Sequence, residues 1–402
     1  MRRTALVVLG TAFLLNLLGR GIGDTYSVFL RPLEQEFGWS RSQLTSVYSL
    51  YLLVNGFCAP FVGMAFDRLG ARWVYAVGLA ILGSAFMAAG SLGSLWQFYV
   101  LVGVAVGVGV SFTGMVPGSG LLSRWYRTRL STALGIAYAG FGVGAMLFVP
   151  ITQALVGQLD WRMAYRVLGG LLLLALPLIV FGLPWKRFEA GHPLLRGDAK
   201  PDAAQSGWTL RSALRSPLYW ALAQAFFFTS VGMFIILVQL VVFFIDAGFS
   251  PLVAASAFGV LGMLSASSVM GSGFMSDRFG VRQAVTASFI GTGLGMLILL
   301  VLAGIPSGPL LGVFVVVFGL CMGVRGPVIS SVCAKYFAGP RVATIYGTIY
   351  STNALGAALG SLLGGVLYDL TDGYRTGFAV SVCCILLAAA PFWTVKTLRD
   401  FR

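Results

Sequence analysis

"GMAFDRLGAR" (residues 63–72) and "GFMSDRFGVR" (residues 273–282) share one frame: a glycine, an Asp-Arg pair, a second glycine and a closing arginine. Their aspartates are 277 − 67 = 210 residues apart. Each stretch follows an apolar run long enough to cross a bilayer, for which about 20 mostly apolar residues suffice. Other pairs keep nearly the same offset. "FGWS" (37–40) matches "AGFS" (247–250), Pro117 matches Pro327, and "DWRMAY" (160–165) has a counterpart in "GYRTGF" (373–378). Several independent matches at one offset argue for a duplicated chain. Parallel repeats related by an axis along the membrane normal are a known transporter architecture, with substrate held between them near mid-membrane.

Composition sets the same frame. The 402 residues are 58% hydrophobic and 10% charged, against about 25% charged in a soluble domain. The expected fold class is therefore all-α integral membrane, with twelve transmembrane helices in two parallel six-helix repeats. Twelve apolar runs fit: 5–29, 42–65, 73–93, 96–123, 130–155, 163–184, 217–246, 251–275, 283–304, 308–334, 342–368 and 376–395. A linker rich in Pro, Gly and charge, "PWKRFEAGHPLLRGDAKPDAAQSGW", divides them six and six. The expected organisation is 1–184, a cytoplasmic linker 185–216, and 217–402. The opening "MRRTALVVLG" reads as an uncleaved first helix, because no A-x-A site follows the run.

With the N-terminus in the cytoplasm, 20 of the 27 Lys and Arg fall inside, 5 outside and 2 within spans. Basic excess marks the cytoplasmic side, so both termini and the linker are expected there. The net charge of +14 then reports topology, and no nucleic-acid partner is implied. The five cysteines form no C-x-x-C pair and suggest neither disulfides nor a metal site. "GVAVGVGV" (103–110) is no nucleotide loop, since no G-K-[ST] follows it. The only histidine, His192, lies in the linker. No cofactor and no catalytic set is expected.

The paired motif resembles the signature loop of the major facilitator superfamily, and the resemblance covers essentially the whole chain. It implies that Asp67, Arg68 and Arg72, with Asp277, Arg278 and Arg282, form a conformational latch. The alternative reading of these residues is a plain topology-setting turn. Within the superfamily, "WYRTRLSTALGIAYAGFGVG" (125–144) is similar to the monocarboxylate porter family, through Ala133, Gly135, Ala137, Ala139, Gly140 and Gly144. The chain departs from that family's animal members. Their first span carries a lysine where Asp24 stands, and their eighth span an Asp and Arg pair where Ser265 and Val269 stand.

Two arginines lie within spans. "LLGRGIGDTYSVF" (17–29) holds Arg20 and, one turn on, Asp24; "GVRGPV" (323–328) holds Arg325. A charge at a helix centre costs roughly 2.5–3.5 kcal/mol or more, so such residues face a partner or a cavity. Spans one, four, seven and ten line the cavity in this superfamily, by resemblance. The expected substrate-binding residues are Arg20 and Arg325, with Gln239, Tyr138, Tyr350 and Asn353. Asp24 either neutralises Arg20 or couples transport to a proton. Glycines 19, 21 and 23 are expected to let the helix relax around a polar site.

These readings converge on a secondary transporter of a small organic anion, a monocarboxylate, coupled to protons and working by alternating access. Its expected setting is the lipid bilayer of a bacterial inner membrane, as a monomer. The alternatives are an exporter or exchanger of another solute, and a non-transporting sensor with the same fold. The short tail "TLRDFR" speaks against the sensor.

Overall fold

The computed structural model describes residues 2–126, 130–191, 208–337 and 342–399. Half of the expected linker, with His192, lies outside the described residues, as do the side chains of Asp67 and Asp277. Among the described residues there is no strand. Twelve helices are long and apolar enough to cross a membrane: Arg3–Phe37, Arg41–Phe66, Arg68–Ala89, Leu95–Leu122, Ala133–Leu159, Trp161–Gly182, Pro217–Asp246, Pro251–Ser272, Val281–Leu302, Gly308–Cys333, Ile345–Thr371 and Arg375–Thr394. They are spans 1 to 12 below.

Span 1 runs eight residues past its expected end. After an interruption at Asp24–Thr25 it resumes as Tyr26–Phe37 and passes through Pro32. The first turn of this piece, Tyr26, Ser27, Val28, Phe29 and Leu30, is buried all round, and so is Leu33 further on. Arg31 and Glu34 are partly exposed and Glu36 exposed. Hydropathy stops at such charges, whereas the buried apolar residues carry the helix on.

Spans 1, 4, 7 and 10 are interrupted in their second halves, and span 12 is divided near its end at Ala390. At spans 1, 7 and 10 the residues Thr25, Val238, Gln239, Gly323 and Val324 stay near helical φ/ψ, so these interruptions are kinks. Span 1 breaks between Gly23 and Tyr26, and span 4 at Gly114, whose backbone leaves the helical region (φ −91°, ψ −143°). Span 7 breaks between Leu237 and Leu240, and span 10 between Met322 and Arg325. Broken helices expose polar backbone, which a bilayer interior tolerates only where protein or a water-filled cavity surrounds it. The duplication is visible in the backbone too. Gly38 (φ +65°) and Gly248 (φ +96°) are 248 − 38 = 210 apart. Gly70 (φ +79°) and Gly280 (φ +85°) keep the same separation, 280 − 70 = 210. An L side chain at positive φ is strained, so glycine recurs where the repeat needs that turn.

Two large apolar clusters form, one drawn mainly from spans 1–6 and one from spans 7–12. Small residues set the contact between them. Gly56 of span 2 lies against Ala354 of span 11, and Gly142 of span 5 against Gly262 of span 8. A side chain at any of these glycines would meet its neighbour, which is how close helix contact is made without a water-driven hydrophobic effect.

Candidate functional site

The break in span 1 places each charge at the favourable end of a half-helix. Arg20 is in the last turn of Arg2–Gly23, and Asp24 stands one residue before Thr25, the N-cap of Tyr26–Phe37. A helix C-terminus favours a cation and an N-terminus an anion. Arg20 Nε donates to Asp24 Oδ2 at 2.9 Å, and each side chain is 22% exposed. Span 2 supplies two phenols to the other carboxylate oxygen. Tyr51 donates to Asp24 Oδ1 at 3.0 Å and Tyr48 at 3.2 Å. Tyr48 is held by stacking on Tyr26, with ring centroids 5.4 Å apart. The Arg20 guanidinium lies over the Phe141 ring of span 5, 4.6 Å from its centroid. Its terminal nitrogens take no hydrogen bond among the described residues.

The neighbouring glycines pack rather than relax. Gly21 meets the Gly144 backbone of span 5, Gly19 meets Thr113 of span 4, and Gly23 meets Val110 and the Tyr51 hydroxyl. Spans 2, 4 and 5 thereby close around the charge pair. The interruption itself is fixed at Thr25, whose hydroxyl donates to Ile22 O at 2.7 Å.

Arg325 has different surroundings. It opens the segment Arg325–Tyr336 and is 2% exposed. Nη2 makes two long contacts, to Met322 O at 3.4 Å and Met233 Sδ at 3.7 Å. The guanidinium lies over Phe289 of span 9, 4.9 Å from the ring centroid. Nε and Nη1 are buried without a partner. These neighbours belong to spans 7, 9 and 10, so the structure does not bring Arg325 to Arg20.

The other expected substrate residues divide. Gln239 sits at the break in span 7, 4% exposed, with Oε1 unpartnered and Nε2 close to Gly364 of span 11. Tyr138 donates to Met115 O at 3.2 Å and is within electrostatic reach of Tyr346 and Tyr350, across the contact between the two sets of spans. Tyr350 is 40% exposed and Asn353 half-buried. Among the described residues no group of three His, Cys, Asp or Glu could hold a metal ion.

A chain with twelve spans, with spans 1, 4, 7 and 10 interrupted, and two matching loops meets its family at this point. The profile of the major facilitator superfamily matches residues 9–273 and 266–400. The chain belongs to the major facilitator superfamily. Members of this family are transporters, not enzymes. The transporter is 26% identical over 383 residues to the uncharacterized MFS-type transporter YcxA of Bacillus subtilis (strain 168), covering 91% of this chain and 89% of that protein. It is 24% identical over 422 residues to monocarboxylate transporter 12 of Mus musculus, covering 98% and 86%. Over 338 residues it is 30% identical to monocarboxylate transporter 11 of Homo sapiens, covering 81% and 69%.

In the superfamily loop of this transporter, Arg68 is exposed. The Arg72 guanidinium lies over Trp73 and Phe181, that of Arg278 over Phe279, and that of Arg282 over Trp393. A residue the sequence reading placed in the linker meets the loop. Glu189, at the end of the short helix Trp185–Ala190, accepts from the Arg72 backbone N–H at 3.3 Å and approaches Gly70. Trp125 Nε1 secures that helix through Phe188 O at 2.7 Å.

At the end of the bundle opposite the linker, a polar clamp joins the two sets of spans. Arg41 is its centre. Nε donates to Glu34 at 2.8 Å, Nη1 to the Tyr374 hydroxyl at 2.9 Å and Nη2 to Asp246 at 3.4 Å, while the ring of Tyr368 lies 4.4 Å below. The backbone N–H groups of Arg41 and Ser42 donate to Asp369 at 3.2 and 2.8 Å. Burial holds the Tyr374 hydroxyl protonated well above the ordinary phenol range, against the pull of Arg41. It therefore donates to Asp246, at 2.5 Å. In the sequence Arg41 is one of the five basic residues counted outside, with no partner indicated. The acids that complete the clamp lie 205 and 328 residues away, and no local pattern connects them.

Proposed function

We propose that this transporter carries a small monocarboxylate together with a proton across a bacterial inner membrane, by alternating access. The observation that carries the reading is the Arg20–Asp24 pair at the break of span 1. Arg20 keeps its terminal nitrogens for a ligand while Nε stays on Asp24, and two parallel N–H donors match a carboxylate in a bidentate pair. The names of the relatives favour the same substrate class. Half-helix ends near mid-span are where transporters of this kind bind substrate.

In this mechanism the carboxylate takes up positive charge from Arg20, the hold of Arg20 on Asp24 weakens, and Asp24 accepts a proton. Asp24 then keeps its place through Tyr48 and Tyr51, because a phenol hydroxyl can donate or accept. Tyr138, Tyr350 and Asn353 line the path between the two sets of spans. Gln239 joins the site from the break of span 7. Both termini and the linker are cytoplasmic, so the Arg41 clamp closes the outer side of the conformation described here. The Asp67 and Asp277 loops, with Arg68, Arg72, Arg278 and Arg282, latch the opposite conformation.

The test is uptake into proteoliposomes with an imposed pH gradient, alongside counterflow without one, over a panel of short-chain carboxylates. Accumulation of one or more of them inside when the exterior is made acidic is the expected result. Absence of any carboxylate uptake, with a neutral or cationic solute carried instead, removes the reading.

A further inference from the structure

Arg325 poses a problem that the transport mechanism leaves unused. The residue is 2% exposed, and two of its three guanidinium nitrogens have no partner among the described residues. The contacts of the third, to Met322 O and Met233 Sδ, are at 3.4 and 3.7 Å. A buried unpaired charge costs several kcal/mol, and arginine does not escape by losing its proton. Position makes matters worse. Arg325 opens a twelve-residue helix, where the dipole and the unpaired N–H groups of the first turn already present positive charge. The side chain folds back across the break to Met322, so the guanidinium and the helix start face one region.

A helix start and a buried cation with unmet donors make a site for an anion. We propose that the start of Arg325–Tyr336 binds a small inorganic anion of about chloride size, with Arg325 as its main ligand. Phe289 covers one face of the guanidinium and the two methionines its edge, which favours a monatomic ion over an organic acid. Arg20 differs here: its side chain is 22% exposed, as a transported carboxylate requires. The ion would neutralise the second half of the molecule independently of what Arg20 carries, so this inference stands apart from the carboxylate reading.

The purified full chain is melted in detergent in sodium chloride and in sodium methanesulfonate at equal ionic strength. Chloride should raise the midpoint of the wild type by about 2–4 °C at saturation. Arg20→Gln should keep that response and Arg325→Met should lose it. No chloride response in the wild type, or an unaltered one in Arg325→Met, overturns the site. So does a response that Arg20→Gln abolishes, which would put the ion at the transport site. Equal stabilisation by methanesulfonate, lost in Arg325→Met, would hand Arg325 to an organic anion and overturn the small-ion assignment. Carboxylate uptake is recorded on the same variants: uptake that survives in Arg20→Gln, with the chloride response intact, would break the transport reading alone.

Discussion

Arg20 sits in the last turn of a half-helix, bonded to Asp24, stacked on Phe141 and partly open. Arg325 sits in the first turn of another, bonded weakly to a carbonyl and a thioether and almost fully enclosed. Both interrupt a membrane span, and both follow a stretch containing glycine. The difference lies in what the break does for the charge. In span 1 the half-helix dipoles stabilise Arg20 and Asp24 where they stand. In span 10 the dipole of the helix it opens opposes Arg325, and among the described residues no carboxylate answers it. An intramembrane arginine is therefore not one kind of signal. Its helix end and its partners decide whether it is poised for cargo or depends on an ion.

The largest expected effect breaks the comparison at Arg20. Arg20→Gln removes the charged fork and leaves Asp24 without its cation. Truncating one partner of such a pair costs about 2–5 kcal/mol. Carboxylate affinity should fall about 100-fold or more, read as loss of ligand-induced thermal shift and of counterflow. Normal binding by Arg20→Gln would remove the anion site from span 1.

Asp24→Asn comes next and separates binding from coupling. The amide oxygen still accepts from Arg20 while its NH2 donates to the phenol oxygens, which can accept as well as donate, so substrate should bind and exchange. Accumulation driven by a pH gradient should disappear. If Asp24→Asn still concentrates substrate under the gradient, Asp24 only neutralises Arg20, and the proton uses another path.

How much of this was legible beforehand follows from range. The duplicated loops, the twelve spans and the Arg20–Asp24 pair are local or periodic, and one residue's offset exposes them. The breaks at Asp24–Thr25 and Gly323–Val324 fell where glycine clusters stood. The role of those glycines in span 1 was misjudged, because the close approach of Gly144 and Thr113 is a tertiary fact. Tyr48 and Tyr51 were visible as polar residues of span 2, but their convergence on Asp24 depends on how two helices cross. The Arg41 clamp and the docking of Glu189 join residues far apart in sequence, and no motif spacing foretells them.

A smaller effect sharpens the Arg20 side of the comparison. Tyr51→Phe removes the 3.0 Å donor to Asp24 and leaves Tyr48 at 3.2 Å. A hydrogen bond to a charged group is worth about 1.5–3 kcal/mol. Tyr51→Phe should lower thermal stability by an amount near the bottom of that range, and Tyr48→Phe by less, since its bond is longer and its residue more exposed. Two variants as stable as the wild type would mean that Arg20 alone secures the carboxylate.

The smallest expected effect is on the other arginine, and its sign carries the information. Removing one partner of a true buried ion pair is strongly destabilising, by about 3–5 kcal/mol, because the other charge is left behind. Replacing buried charge by apolar residues of similar volume is often neutral or stabilising. Arg20→Met belongs to the first case, because Asp24 stays in place. Arg325→Met belongs to the second. No protein carboxylate is stranded, and the methionine joins Met233, Met322 and Phe289 in an apolar setting. In chloride-free detergent buffer Arg325→Met should melt no lower than the wild type, while Arg20→Met melts several degrees below it. Added chloride should close the gap by lifting the wild type past the Arg325→Met variant. A large loss of stability in Arg325→Met without chloride would mean that the guanidinium has a protein anion as partner in solution, and the contrast between the two breaks would collapse.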